Sequence, residues 1–212
     1  MINTHQTIFK INNQKQIIIQ FPYSLDNLNP CSELSILFLH KDKKICLTKD
    51  FLYHNISKLS NLLKKALNTE LLLHSSITQD IGYLFNQYSA YVCGENIEQS
   101  ISLAYDEKNH TSYWPGNNYH LWSQDFISWI YNAPDKSIIL EITPFYPYMY
   151  CEPEEEPDYI PYHEWIKTYK PYLVQTIPRE IAQQWLTQAE HIINTIEDNV
   201  KKWKMENDNK NI

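Results

Sequence analysis

The sequence predicts an α+β fold: a mostly antiparallel sheet of hairpins packed with a middle helix and a long C-terminal helix. Three observations carry this. β-branched apolar runs come in pairs joined by short polar links, as antiparallel hairpins require. Over residues 55–73 the apolar period lengthens to that of a helix. From 181 to 203 apolar residues recur at spacings of 4, 4, 3, 4, 4 and 3, which lays one apolar stripe along about six turns.

The elements follow in chain order. Residues 7–11 and 16–21 read as a hairpin across Asn12, Asn13, Gln14 and Lys15. Residues 34–39 and 44–47 form a second hairpin across Lys41, Asp42 and Lys43, and the stretch from Pro22 to Pro30 is the loop between hairpins. In the middle helix Ile56, Leu59, Leu62, Leu63, Ala66 and Leu67 share a face, with Asn55 or Ser57 expected at the N-cap. Leu71, Leu72 and Leu73 extend this helix or begin the next element. Residues 80–93 fit a helix or a strand equally. Residues 99–105 read as a short strand and 113–116 as a turn. Residues 119–131 read as two strands or a strand and turn. A hairpin over 126–143 turns at Asn132, Ala133, Pro134 and Asp135. A short helix over 162–170 stops before Pro171. Pro178 is expected in the first turn of the long helix, with Glu180 favouring its positive end. Residues 1–205 are expected to form a single domain, with 206–212 a frayed polar tail.

Composition narrows the function classes. The chain has 212 residues, 14% of them aromatic, and only three glycines. So few glycines argue against phosphate-cradling loops, and no catalytic or cofactor signature occurs. Cys31, Cys46, Cys93 and Cys151 form no CxxC pair, so no metal or other cofactor is expected. The chain opens polar rather than with a basic-then-apolar leader. No apolar run approaches the ~18 residues of a membrane span. The expectation is a cytoplasmic protein with reduced thiols and no membrane contact.

Net charge is -7 and unevenly spread: +4 over residues 1–70, -6 over 71–150 and -5 over 151–212. An acidic C-terminal two thirds repels nucleic acid and attracts a cationic partner. Arg179 is the only arginine, which further weakens nucleic-acid recognition. The one basic patch, Lys41, Lys43, Lys44 and Lys49, reads as a soluble hairpin tip. Binding to single-stranded RNA would need stacking rings there, and only Phe38, Phe51 and Tyr53 are local.

The most informative segment spans residues 144–165. Glu152, Glu154, Glu155, Glu156 and Asp158 place five carboxylates in seven residues, among prolines and the rings of Tyr146, Tyr148, Tyr150, Tyr159, Tyr162 and Trp165. The segment is either a solvated loop or a docking surface. Prolines lower the entropy cost of binding, and tyrosines add contact area at little rotamer cost. A calcium site is disfavoured because the EF-hand pattern and its glycine are absent. In an extended segment Tyr146, Tyr148 and Tyr150 share one face, opposite Phe145, Pro147 and Met149. The tyrosine face then packs in the core or forms an interface.

Catalytic readings are weaker. Cys93, His120 and Asp125 have the residue types of a thiol nucleophile, its base and an orienter. No family signature surrounds Cys93, and a buried structural cysteine is the plainer reading. His110 and His120 lack metal-ligand spacing. Glu141 and Asp125 form a candidate carboxylate pair across the 126–143 hairpin.

In general character the chain resembles the small acidic cytoplasmic immunity proteins encoded beside polymorphic or contact-dependent bacterial toxins. The stretches with that look are Leu121-Trp122-Ser123-Gln124-Asp125-Phe126, Ile142-Thr143-Pro144-Phe145-Tyr146-Pro147 and Ile177-Pro178-Arg179-Glu180-Ile181-Ala182-Gln183-Gln184-Trp185-Leu186. The resemblance covers about 90 residues and implies a non-enzymatic monomer or weak dimer. Its partner would be a cognate toxin with a basic surface. The expected contacts are Glu152, Glu154, Glu155, Glu156 and Asp158 for charge, with Tyr146, Tyr148 and Tyr159 as anchors. The alternatives are a small hydrolase using Cys93 and His120, or a structural domain that self-associates through the aromatic strip.

Overall fold

In a computed structural model the described residues are 5–41, 43–73, 77, 80–92, 105–106, 111–112, 119–149, 151 and 156–208. Among the described residues, two antiparallel four-stranded sheets and four helices make up the α+β fold. Strands β1 (His5–Lys10), β2 (Lys15–Phe21), β3 (Glu33–His40) and β4 (Lys43–Phe51) run in sequence order across the first sheet. Both early hairpins therefore form as their sequences require. Register places Phe9 beside Ile17 and Ile17 beside Phe38, so one row of buried apolar side chains crosses three strands. Each such side chain removed from water stabilises by about 1.5–3 kcal/mol.

Helix α1 (Leu52–Leu67) begins four residues earlier than an N-cap at Asn55 would have it. Its N-cap is Phe51, which has no capping side chain. The preceding loop supplies the acceptors instead: Leu52 N–H donates to the Ser32 carbonyl (2.8 Å) and Tyr53 N–H to that of Pro30 (3.4 Å). Asn55 is buried inside the first turn and donates back to the Phe51 carbonyl at 2.8 Å. At the other end Thr69, at φ 62°, takes the left-handed position usually given to glycine. The three leucines after it neither extend the helix nor start a strand. Leu71 and Leu73 bond to Asn132, and Leu72 forms an isolated bridge beside it.

The ambiguous stretch resolves as helix α2 (Ile81–Val92). A two-residue pair follows, β5 (Tyr105–Asp106) with β6 (Thr111–Ser112). The rest of the strand expected over 99–105, and the turn at 113–116, lie outside the described residues. The second sheet holds β7 (His120–Ser123), β8 (Phe126–Asn132), β9 (Ile138–Pro144) and β10 (Leu173–Ile177), in the order β10-β9-β8-β7. Its central hairpin, β8–β9, is the expected one. Both strands are buried on both faces. Strand β10 escapes the sequence reading because it is five residues between a proline-ended helix and Pro178.

Helix α3 (Tyr162–Thr168) precedes β10, and α4 (Arg179–Asp208) closes the fold. Pro178 stands one residue ahead of α4, its carbonyl accepting from Ala182 N–H. Ala182, Trp185, Ala189, Ile192 and Ile196 bury the stripe against α1, and Trp185 Nε1 donates to the Lys10 carbonyl (3.1 Å). Asn199 ends this packing by donating to the carbonyls of Leu25 and Leu28. Beyond it Trp203 is 65% exposed. The tail expected to fray from Glu206 stays helical through Asp208. One cluster of buried residues draws on both sheets, α1 and α4.

Candidate functional site

Strand β9 ends at Pro144, and the chain leaves the sheet along α2. Small and polar residues one turn apart on α2, Gly82, Asn86 and Ala90, are all buried. They let the helix approach closely. Asn86 donates to the carbonyls of Gly82 (2.8 Å) and Pro144 (3.0 Å), and its Oδ1 accepts from Tyr146 N–H (2.8 Å). A fully buried amide satisfied on both sides fixes the path of the chain as it leaves β9.

That path is a turn over residues 147–149 rather than an extended segment, so the expected tyrosine face does not form. Tyr146 and Met149 are both buried, with Tyr162 and Ala90, in a second apolar cluster. The Tyr146 ring meets those of Tyr162, Trp165 and Tyr148 with centroids 5.4–5.7 Å apart, spacings at which edge-to-face rings attract. Tyr146 is thus a base for the segment and offers no surface to a partner. Its hydroxyl donates to the Ile160 carbonyl at 2.7 Å.

Tyr148 and Tyr159 lie nearer the surface, half-buried, with ring centroids 5.3 Å apart. The Tyr148 hydroxyl donates to the Asp158 carbonyl at 2.7 Å. Glu156 and Asp158 are exposed beside them, and Tyr159 N–H closes a turn on the Glu156 carbonyl. Two tyrosine hydroxyls therefore clip the outgoing strand of this acidic segment to its incoming strand. Glu152, Glu154, Glu155 and Tyr150 lie outside the described residues.

The catalytic alternative fares differently. Cys93 and His110 lie outside the described residues. The described Cys31, Cys46 and Cys151 are free thiols. Burial and the nearby Lys58 charge push the His120 imidazole down to about 4. Its Nδ1 lies 3.1 Å from Lys58 Nζ, and an ammonium there keeps the ring neutral. Asp125 sits exposed in the β7–β8 turn, its carbonyl accepting from Phe145 N–H; among the described residues the buried Nε2 of His120 has no hydrogen-bond partner. Asp125 therefore does not orient this histidine. Among the basic residues, Lys41, Lys43, Lys44 and Lys49 are exposed, whereas Phe38 is fully buried and unavailable for stacking on a base. Two grooves, of about 520 Å³ beside Gln20, Ser35 and Lys49 and about 840 Å³ beside Leu28, Asn199 and Trp203, touch neither His120 nor the tyrosines.

Sequence reasoning missed the partner of Glu141. In the β8–β9 register Glu141 stands opposite Trp129, not near Asp125. Its carboxyl instead feels the charge of Asp80, just ahead of α2. Tyr131 hydroxyl donates to Glu141 Oε2 at 2.8 Å, and Gly82 N–H to Oε1 at 3.2 Å. A glutamate in a strand of apolar neighbours was the available signal, since a carboxyl buried on both sides needs such partners.

The chain matches no family model, no curated protein and no solved structure. Among the described residues no helix is long and apolar enough to cross a membrane.

Proposed function

We propose that this chain is an immunity-type binding protein that blocks a cognate toxin domain and transforms no substrate. The observation that supports this reading is the pair of clips, Tyr146 hydroxyl to Ile160 and Tyr148 hydroxyl to Asp158. They join the described flanks of the acidic segment, Tyr146 and Tyr148 on one side and Asp158 and Ile160 on the other, and fixed flanks lower the ordering cost of association. The charge belongs to Glu152, Glu154, Glu155, Glu156 and Asp158. Tyr148 and Tyr159 contribute ring area beside it, and Tyr146 supports both from below.

The mechanism is occlusion. A toxin domain that acts on nucleic acid carries a cationic active site, and clustered carboxylates occupy it in place of phosphates. Opposite net charges also speed encounter. The protein works in the cytoplasm, as a monomer or weak dimer, where the toxin meets its target.

Co-expression with the toxin domain of the neighbouring upstream gene tests this. The intact chain is expected to restore growth and to co-purify with the toxin. Tyr148→Ala with Tyr159→Ala is expected to weaken protection while the circular dichroism spectrum stays intact. Full protection by that folded double variant, or no growth rescue by the intact chain, would count against this surface.

A further inference from the structure

We propose that the Asp80–Glu141 pair is a proton-dependent latch that holds the start of α2 against β9. The consequence for partner binding rests on the reading of the tyrosine segment given above; the latch itself does not.

The geometry begins with elementary chemistry. Two carboxyl groups hydrogen-bond each other only when one carries a proton, because two carboxylates present lone pairs alone. Gly82 N–H donates to Glu141 Oε1 at 3.2 Å and the Tyr169 hydroxyl to Asp80 Oδ1 at 3.4 Å, which brings the two carboxyls into one cluster where a shared proton spares the second charge. Glu141 is 2% exposed in the middle of β9, flanked by Trp129 on β8 and Val174 on β10. The groups facing it are Asp80 ahead of α2, Tyr131 on β8 and Tyr169 after α3, whose hydroxyl donates to Asp80 Oδ1 at 3.4 Å. Among the described residues no cation acts on Glu141. A second negative charge at this point is uncompensated.

Burial, then the nearby Asp80 carboxyl, push the Glu141 carboxyl up to about 8. Burial and the same carboxylates push Tyr131 and Tyr169 well above their usual range. Both tyrosines therefore stay neutral donors while Glu141 titrates. The sign follows. When α2 opens, Glu141 meets water and ionises near its ordinary value of 4.5. When α2 is closed, Glu141 keeps its proton up to about 8. Closing is fully favoured below the lower value, loses ground as pH rises between the two, and levels off above the upper one.

Asp80 is where α2 starts, its carbonyl accepting from Leu84 N–H at 3.0 Å. Further along the helix, Asn86 ties it to Pro144 and Tyr146, and Ala90 shares a buried cluster with Tyr146. Loss of the proton at Glu141 thus loosens the support of the tyrosine segment from its far end.

Amide hydrogen exchange on the full chain at pH 6 and pH 8, corrected for intrinsic rates, tests the latch. At pH 8 the α2 amides are expected to be less protected than those of α1, having lost at least about tenfold since pH 6. In Glu141→Gln, which has no acid proton to lose, they keep their protection. Asp80→Asn, which removes the like charge, is expected to shrink the loss and serves if the first variant does not fold. Equal protection of α2 and α1 at pH 8, or the same loss in either variant, overturns the proposal. Toxin association at both pH values separates the two readings: no binding at either sinks the docking surface, and the latch stands or falls on exchange alone.

Discussion

At the residue scale, a few side chains hold what the backbone alone does not. Asn132 is fully buried, accepts from Leu71 N–H and donates to the Ala66 carbonyl, so it joins the end of α1 to the turn after β8. Arg179 bonds the Leu67 carbonyl at the same helix end. Gly82 matters for what it lacks. A Cβ there would run into the Tyr169 hydroxyl and both branches of Thr143. Gly82→Ala is therefore expected to destabilise by about 1–3 kcal/mol, as overpacking does, although alanine favours helices. Urea unfolding monitored by tryptophan fluorescence measures it; an unchanged or raised midpoint would show that α2 has room to shift. Sequence alone marked Gly82 as nothing more than a glycine in an ambiguous stretch, because the atoms it must avoid are contributed by β9 and the segment after α3.

At the scale of elements, period and length decided what was legible. The paired hairpins and the stripe on α4 repeat often enough to fix their type. α2 stayed ambiguous because its buried face is Gly82, Asn86 and Ala90, residues that carry no apolar signal. The start of α1 was misplaced because its first donors bond to the 30–32 loop rather than to a capping side chain. The stripe on α4 also overstated its own reach. Trp185 is buried at 2% while Trp203 is 65% exposed, although both fit the same period. Trp185→Ala is expected to cost about 3–5 kcal/mol, from lost burial and the cavity left behind. Trp203→Ala is expected to stay within about 0.5 kcal/mol of the parent. Thermal or urea melts of the two variants check this, and comparable losses would mean that the last turns of α4 pack as tightly as its middle.

At the scale of the whole molecule, charge and order are arranged separately. The two sheets, α1 and α4 share one buried cluster, and the tyrosine segment has a smaller one of its own under Tyr146, Tyr162 and Met149. The acidic, aromatic character of that segment was plain in the sequence. Which tyrosine supports and which faces outward was not, because the turn at 147–149 replaces the strand alternation on which the expectation rested. Tyr146 therefore belongs to the scaffold of the proposed surface, and Tyr148 and Tyr159 to its face.

The most direct test of docking through this surface is the association rate with the purified toxin domain across a salt series. The intact chain is expected to associate quickly at low salt and to slow as salt rises, because attraction between opposite charges is screened. Reversing Glu154, Glu155 and Glu156 together to lysine is expected to lower the rate at least about tenfold at low salt and to flatten its salt dependence. A charge-reversed chain that folds and associates at the parental rate, with the parental salt slope, would contradict the account.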